Sequence, residues 1–155
     1  MSFSLTSAAF GEGARIPREH TCDGEDVSPA LSWTDVPERT ASLALIVDDP
    51  DAPRGNWVHW VLFDLPPGLR GLPQGVPPRA TLEGGGVHGV NDFRNLGYGG
   101  PCPPGGTHRY VFVLYALDAM LKLPPRSTRA EVANALLGHV LGEARLTGKY
   151  SRERR

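Results

Sequence analysis

Apolar and polar positions alternate along this chain in a pattern that predicts mostly β structure. Leu43–Val47 is uniformly apolar, which favours a strand covered on both faces. A period of two in Trp57–Leu65 assigns alternate residues to opposite faces, with Trp57, His59, Val61 and Phe63 on one side and Val58, Trp60, Leu62 and Asp64 on the other. Because both faces are largely apolar, this strand is predicted to lie inside a sheet.

Further strands are predicted before and after these two. His108–Asp118 repeats the alternation and places one set of residues on a common face: His108, Tyr110, Phe112, Leu114 and Ala116. Phe3–Ser7 and Leu31–Trp33 have the composition of short strands bounded by turns. Ala80–Tyr98 has no regular pattern and is predicted to be a long loop, which is uncommon in a compact domain unless it is functional.

One helix is predicted near the C-terminus, over Ser127–Arg145. Thr128 and Glu131 have the spacing of a capping box, and Gly148 is the predicted stop. Apolar residues recur every four positions in this stretch, at Val132, Leu136, Val140 and Ala144. The basic tail Lys149–Arg155 is predicted to be solvated.

Composition limits the class of protein. A chain of 155 residues is the size of one domain, predicted over 1–155, and its 19 Gly and 15 Pro punctuate the apolar runs. With 16 basic and 17 acidic residues, the chain has no general field for nucleic acid or an anionic membrane. It shows no signal peptide and no membrane-spanning run. These features predict a soluble, cytoplasmic protein in which Cys22 and Cys102 are thiols.

The polar stretch between the first two core strands holds Asp48, Asp49 and Asp51, together with Pro50 and Pro53. The prolines predict a stiff loop, since each fixes its own φ and keeps the preceding residue out of the helical region. Aspartate beside proline is also ordinary turn chemistry, with the carboxylate capping its own backbone. However, three like charges within four residues repel, so we expect a cation or hydrogen-bond donors nearby.

Two histidines add candidate chemistry. His59 and His108 each occupy a strand position among aromatic residues, where a histidine is either a satisfied core residue or a ligand-binding group. Glycines at the end of the long loop and after it could form an anion nest of backbone N–H groups, or could simply permit tight turns: Gly97, Gly99, Gly100, Gly105 and Gly106. The two interpretations stay open on the sequence alone.

Enzyme motifs are absent from the sequence. It has no glycine-flanked serine, no phosphate-loop lysine and no closely spaced zinc ligands. A Cys–His nucleophile pair would need a thiol within reach of an imidazole, which the sequence does not show. A distributed metal site of His59, His108 and a carboxylate remains an alternative of lower rank. We therefore predict no metal and no cofactor.

Several motifs, in order along nearly the whole chain, resemble those of bacterial, Raf kinase inhibitor-like members of the phosphatidylethanolamine-binding protein family. They lie at Cys22–Trp33, Asp49–Pro53, Trp57–Trp60, Asn91–Phe93, Gly97–Gly105 and His108–Tyr110. The resemblance implies an antiparallel β-sandwich with a C-terminal helix and small peripheral helices. It also implies a small pocket for phosphate or phosphoryl head groups such as phosphoethanolamine, and a homodimer.

Carried over position by position, the resemblance implies a ligand-binding set of Asp49, Asp51, His59, Gly100, Pro101, His108 and Tyr110. The chain departs from the animal members at Val58, which stands where they often have the first of two adjacent histidines. Because an ionised phosphate would be repelled by the two aspartates, we expect protonated histidines to donate to it. Affinity should then rise as pH falls through about 6.5, the ordinary histidine pKa.

These observations favour a non-enzymatic binding protein for a phosphorylated small molecule or phospholipid head group. Regulation of a kinase, a protease or another protein is a further expectation. A first alternative is a hydrolase or lyase in which the histidines and aspartates form a general acid/base pair. A second alternative is an interaction module in which the loop Ala80–Tyr98 binds a partner and the pocket has no role.

Overall fold

The computed structural model describes residues 2–152 and consists mainly of two antiparallel sheets. The smaller sheet has the strand order β1–β2–β5, with β1 at Ser4–Thr6, β2 at Leu31–Thr34 and β5 at Gly71–Leu72. The larger sheet has the strand order β6–β4–β3–β7–β8. Its strands are β3 at Ser42–Asp49, β4 at Trp57–Leu65, β6 at Val87–His88, β7 at His108–Leu117 and β8 at Val140–Tyr150. A 3₁₀ turn lies at Arg18–His20 and an α-helix, α1, at Arg129–Leu136. The predicted antiparallel β-sandwich is confirmed.

The two faces of the larger sheet are covered by different partners. On one face, side chains of both sheets form a single apolar cluster that includes Trp33, Leu45, Trp60 and Phe112. On the other face, a second cluster joins β3 and β4 to Val132 and Leu136 of α1, which closes over it. The central strands are therefore buried on both sides, as their continuous apolar sequences predict.

A β-bulge interrupts β4 at His59. Val47 pairs with Trp60 and the next residue, Asp48, pairs with Val58, so His59 is the extra residue. Consequently Val58 lies in the same cluster as Val61, while the His59 ring contacts Tyr110 of the other cluster. The prediction that His59, Val61 and Phe63 share one face is wrong, because the bulge reverses the alternation at this point.

The predicted C-terminal helix is only half as long as expected. The capping box of Thr128 and Glu131 is present, but α1 ends at Leu136 and Gly138 has a positive φ of 81°. The following segment is strand β8, which pairs with β7 along its whole length. Val140 is 43% exposed and Ala144 packs in the inter-sheet cluster, so the four-residue stripe does not continue as one helical face. The partner strand overrides the local helical pattern.

Two other predicted segments are also more ordered than expected. The loop Ala80–Tyr98 contains strand β6, and the buried His88 in it accepts a hydrogen bond from Trp60 Nε1 at 3.0 Å. The predicted solvated tail begins inside the fold, because Lys149 lies in β8 and Arg152 forms an ion pair with Asp23. The last three residues of that predicted tail lie outside the described residues. Among residues 2–152, no helix is both long and apolar enough to cross a bilayer.

Candidate functional site

The three clustered aspartates each pair with a different cation or donor. Asp48 and Asp49 are the last residues of β3 rather than part of the predicted loop, and Asp51 follows in a turn. The pairs, with their closest N···O distances, are Asp48 with Arg129 at 2.8 Å, Asp49 with His108 at 2.6 Å and Asp51 with Arg109 at 2.8 Å. The expected cations or donors are thus confirmed, and the protein itself supplies them.

The Asp49–His108 pair is the buried one of the three. The residues are 3% and 6% exposed, and His108 Nδ1 donates to Asp49 Oδ2. Asp49 Oδ1 accepts from the backbone N–H of Asp51 at 2.8 Å. His108 Nε2 lies 3.1 Å from the carbonyl oxygen of Gly105. Both ring nitrogens therefore face acceptor oxygens, and the imidazole is held in one orientation.

His59 is held in a different way. Its Nδ1 lies 2.6 Å from the carbonyl oxygen of Gly99, so Nδ1 carries the hydrogen and donates. Burial lowers the pKa of His59 more than the Gly99 contact and the nearby aspartates raise it. The ring is therefore neutral near pH 7, with Nε2 as an acceptor. Burial therefore disfavours the protonated His59 donor expected from the sequence, since the bulge that turns the ring inward also removes it from water.

Tyr110 has a hydroxyl group without a partner. The residue is 1% exposed, and its buried oxygen makes no hydrogen bond within residues 2–152. Burial, followed by the negative charges of Asp49 and Asp51, holds the pKa of this phenol far above its usual value. The hydroxyl therefore keeps its proton at any working pH and is an unmet donor. Leaving such a group unpaired is costly, so its presence points to a ligand or an ordered water.

Four of the seven predicted ligand-binding residues line one cavity of about 200 Å³: Asp49, His59, His108 and Tyr110. Ala52, Pro53 and the segment Cys102–Pro104 form other parts of the wall. Trp57 and Phe93, each 38% exposed, also line the cavity and pack edge to face with ring centres 5.5 Å apart. Sequence reasoning missed the cysteine and the aromatic pair as wall residues, although both lie inside motifs that it had singled out.

The other three predicted residues, Asp51, Gly100 and Pro101, are engaged elsewhere. Asp51 binds the guanidinium of Arg109, and the Pro101 carbonyl accepts from the N–H of Cys22. The N–H of Gly100 donates to Asp26 Oδ1 at 2.8 Å.

The predicted glycine nest does not form at Gly99 and Gly100. The Gly99 N–H donates to the carbonyl of His59, just as the Gly100 N–H is used by Asp26. A Cβ at Gly100 would clash with the His20 carbonyl and the Asp26 carboxylate, which explains why glycine is needed there. The role of these two glycines is close packing of the backbone rather than anion binding.

Cys22 and Cys102 form a disulfide, which corrects the prediction of two thiols. Their Cα atoms are 5.4 Å apart although 80 residues separate them in sequence. Their loops are brought together by hydrogen bonds that the sequence pattern does not reveal. In this state no thiol remains for the Cys–His pair considered above. Nor do residues 2–152 contain a group of three or more His, Cys, Asp and Glu side chains placed to hold a metal ion.

The Asp51–Arg109 pair predicts that the Asp51 carboxyl loses its proton at an unusually low pH. Hydrogen bonds from the Arg109 side chain and backbone lower the pKa of Asp51 to about 2. A carboxyl whose pKa is depressed on folding stabilises the protein above its unfolded value of about 4, and this contribution is lost as pH falls towards 2. We expect ¹³C NMR titration to show Asp51 ionised at pH 3, and Arg109→Ala to raise its pKa only part of the way towards about 4, because the backbone N–H of residue 109 still donates to it. An unshifted Asp51 in the wild type would contradict the pair.

The chain is similar to known proteins over nearly its whole length. The family model described as phosphatidylethanolamine-binding protein matches residues 6–151. A UPF0098 protein of Methanothermobacter thermautotrophicus is 54% identical over 149 residues, which cover 96% of this chain and 99% of the relative. One of Aquifex aeolicus is 45% identical, covering 95% of this chain and 87% of the relative.

Two solved structures resemble the whole fold. The Escherichia coli protein YbcL, described as a new member of the mammalian phosphatidylethanolamine-binding protein family, has a TM-score of 0.92 at 34% identity, covering 99% of this chain and 100% of that one. A phosphatidylethanolamine-binding protein homologue of Chlamydia trachomatis has a TM-score of 0.90 at 38% identity, covering 98% and 99%.

Proposed function

This chain belongs to the phosphatidylethanolamine-binding protein family, and we propose that it is a non-enzymatic binding protein whose cavity receives phosphate or the phosphoryl end of a small molecule such as phosphoethanolamine. The observation that carries this proposal is the buried, unpartnered hydroxyl of Tyr110, a residue that lines the cavity. A phosphoryl oxygen is a strong acceptor and would satisfy that donor. The cavity volume of about 200 Å³ suits a small head group.

The protonation state of the ligand follows from the donors and acceptors around it. Tyr110 offers a donor, whereas neutral His59 offers a lone pair and Asp49 carries a negative charge. A phosphate dianion has only acceptor oxygens and would face both acceptors unfavourably. A monoanion keeps one P–O–H donor, and a phosphoethanolamine zwitterion adds an ammonium group. We propose that these protonated or zwitterionic forms bind, which replaces the imidazolium donor expected from the sequence.

Affinity for a simple phosphomonoester such as methyl phosphate should therefore fall as pH rises. The second pKa of a phosphomonoester is about 6, so the monoanion is nearly lost by pH 7.5. We expect binding at pH 5.5 to be about twentyfold tighter than at pH 7.5, measured by isothermal titration calorimetry. Equal affinities at the two pH values would contradict selection of the monoanion.

The Tyr110 hydroxyl itself can be tested with a matched pair of variants. Tyr110→Phe removes the donor and keeps the ring, and we expect phosphate affinity to fall about tenfold, the value of one good hydrogen bond. Tyr115→Phe makes the same change in the same strand, on the side that packs near α1, and should leave affinity unchanged. Similar losses in both variants, or in neither, would remove the main support for the site.

The hydrolase or lyase alternative has one observation in its favour, since a buried carboxylate orients His108 as in many acid/base pairs. Against it, Nε2 of His108 already lies against the carbonyl of Gly105 and is not free to take a proton from a ligand. Turnover of a panel of phosphoesters that is lost in His108→Ala would favour the enzyme.

Partners and assembly are further proposals. We propose that a bound phosphoryl group is the means by which the protein would regulate a kinase, a protease or another protein. We also propose a homodimer, which sedimentation velocity tests directly, and a cytoplasmic location. Disulfides are rare in cytosolic proteins because the cytosol keeps thiols reduced, so in this location the Cys22–Cys102 bond would be exposed to reducing conditions. The loop Ala80–Tyr98 would be the binding surface instead if substitutions there abolished partner binding and cavity substitutions did not.

A further inference from the structure

The Cys22–Cys102 disulfide forms part of the wall of the cavity. Cys102 lines the cavity together with Pro103 and Pro104, and neither cysteine is fully buried. Trp57 and Phe93, each 38% exposed, line the same cavity. Because Cys102 is a lining residue and is only partly buried, we expect a small thiol to reach the disulfide.

Residues before Cys102 are held in place without the disulfide. Tyr98 donates its hydroxyl to the carbonyl of His20 at 2.6 Å, and the Gly100 N–H binds Asp26 at 2.8 Å. The Pro101 carbonyl accepts from the Cys22 N–H at 3.1 Å. These three hydrogen bonds fix the chain as far as residue 101 whether or not the sulfur atoms are joined.

The other end of the disulfide is also anchored independently. Asp23, next to Cys22, accepts hydrogen bonds from the Tyr150 hydroxyl at 2.7 Å and from Arg152 at 2.9 Å. Cys22 is thus attached to the end of β8. If the disulfide opens, the part of the chain that gains freedom is the segment after Cys102.

That segment, 103–107, is held by the burial of Pro103 at one end and by β7, which begins at His108, at the other. Its residues from Pro104 to Thr107 are exposed, and within residues 2–152 the one hydrogen bond that it makes is from His108 Nε2 to the Gly105 carbonyl, at 3.1 Å. Along the chain, the disulfide at Cys102 is therefore the last attachment to the rest of the fold before Pro103 and Pro104, which form the cavity wall. It also helps to set the position of the carbonyl that orients His108.

We infer that the Cys22–Cys102 disulfide is a thiol-exchange site that regulates the cavity: the oxidised form holds the wall closed around the ligand, and reduction loosens it and weakens binding. That this ligand carries a phosphoryl group rests on the proposed function. Reduction consumes two molecules of a low-molecular-weight thiol. The thiolate of the first attacks one cysteine sulfur and displaces the other as a thiolate, giving a mixed disulfide. The second thiol attacks this mixed disulfide and releases the second cysteine thiol and the small disulfide, whereas a small disulfide reverses both steps.

The test is to titrate inorganic phosphate into oxidised wild type, wild type reduced with dithiothreitol, and the double variant Cys22→Ser/Cys102→Ser. We expect the reduced protein and the variant to bind about fivefold or more weakly than the oxidised protein. Dithiothreitol should have no further effect on the variant, which controls for the reductant. Backbone ¹⁵N order parameters should fall at Gly105, Gly106 and Thr107, which shows that the wall has loosened. Amide hydrogen exchange in β3 and β4 should stay slow, which shows that the fold is retained.

A second variant avoids dependence on the stability of the reduced protein. Pro103→Gly loosens the same wall with the disulfide intact, and it should weaken phosphate binding in the oxidised protein. Equal affinity in the oxidised, reduced and Pro103→Gly proteins would overturn the inference and leave the proposed function standing. If no form binds phosphate, the proposed function fails. The order parameters of Gly105, Gly106 and Thr107 then decide, because unchanged values on reduction overturn the inference and lower values support it.

Discussion

Reduction of the Cys22–Cys102 disulfide is expected to lower the free energy of unfolding by about 4.5 kcal/mol. The two cysteines are 80 residues apart, so the bond closes a loop of more than half the chain. Joining such distant residues removes a large part of the conformational freedom of the unfolded state. The loss compares with a total stability of about 5–15 kcal/mol for an ordinary domain.

Chemical denaturation of wild type with and without dithiothreitol measures this effect. The double variant Cys22→Ser/Cys102→Ser should unfold at the same denaturant concentration in both conditions, close to that of the reduced wild type. A change below about 1 kcal/mol would show either that the bond does not form in solution or that the reduced, unfolded chain is already compact.

The strands that build the large sheet could be predicted because their patterns are simple. The uniform apolar run before Asp48 and the alternation from His108 onwards are buried as expected, since both strands lie between two layers. The bulge at His59 could not be predicted, because an extra residue depends on the register with β3 and leaves no mark in the sequence of β4 itself.

The C-terminal region shows why a helical period alone can mislead. The residues from Val140 to Ala144 fit a helical stripe, yet they lie in β8 because β7 offers them a complete partner strand. The capping box was a reliable signal, since it acts within a single turn of helix. The end of α1 at Leu136 depended on the rest of the sheet, which local propensity does not describe.

The candidate site was partly visible in the sequence for a physical reason. Repulsion among Asp48, Asp49 and Asp51 predicts cations or donors nearby, and the structure supplies one to each from a distant position in the chain. The sequence could not show which pair is buried. Nor could it show that Gly100 serves packing rather than ligand binding, because a glycine that must avoid a clash and one that must bind an anion look the same.

Removing the Asp49 carboxylate is expected to cost about 3 kcal/mol of folding stability, because it leaves the His108 imidazole buried without its partner. The backbone N–H of Asp51 would lose its acceptor at the same time. Asp51→Ala, two residues further along the chain, is the matched control. Although Arg109 lowers the pKa of Asp51 to about 2, the Arg109 side chain is 56% exposed and water screens the pair. Its loss should therefore cost about 1 kcal/mol or less.

A double-mutant cycle separates the pair from its surroundings. Urea denaturation of Asp49→Ala, His108→Ala and the double variant should give a coupling energy of about 2 kcal/mol between the two side chains. Asp49→Ala should also weaken phosphate binding, since His108 loses the contact that holds its ring in the cavity wall, whereas Asp51→Ala should leave that affinity within about twofold. Equal costs for Asp49→Ala and Asp51→Ala, or a coupling energy near zero, would mean that burial does not distinguish the two pairs. The Asp49–His108 contact would then be no more important to the fold than the surface ion pair beside it.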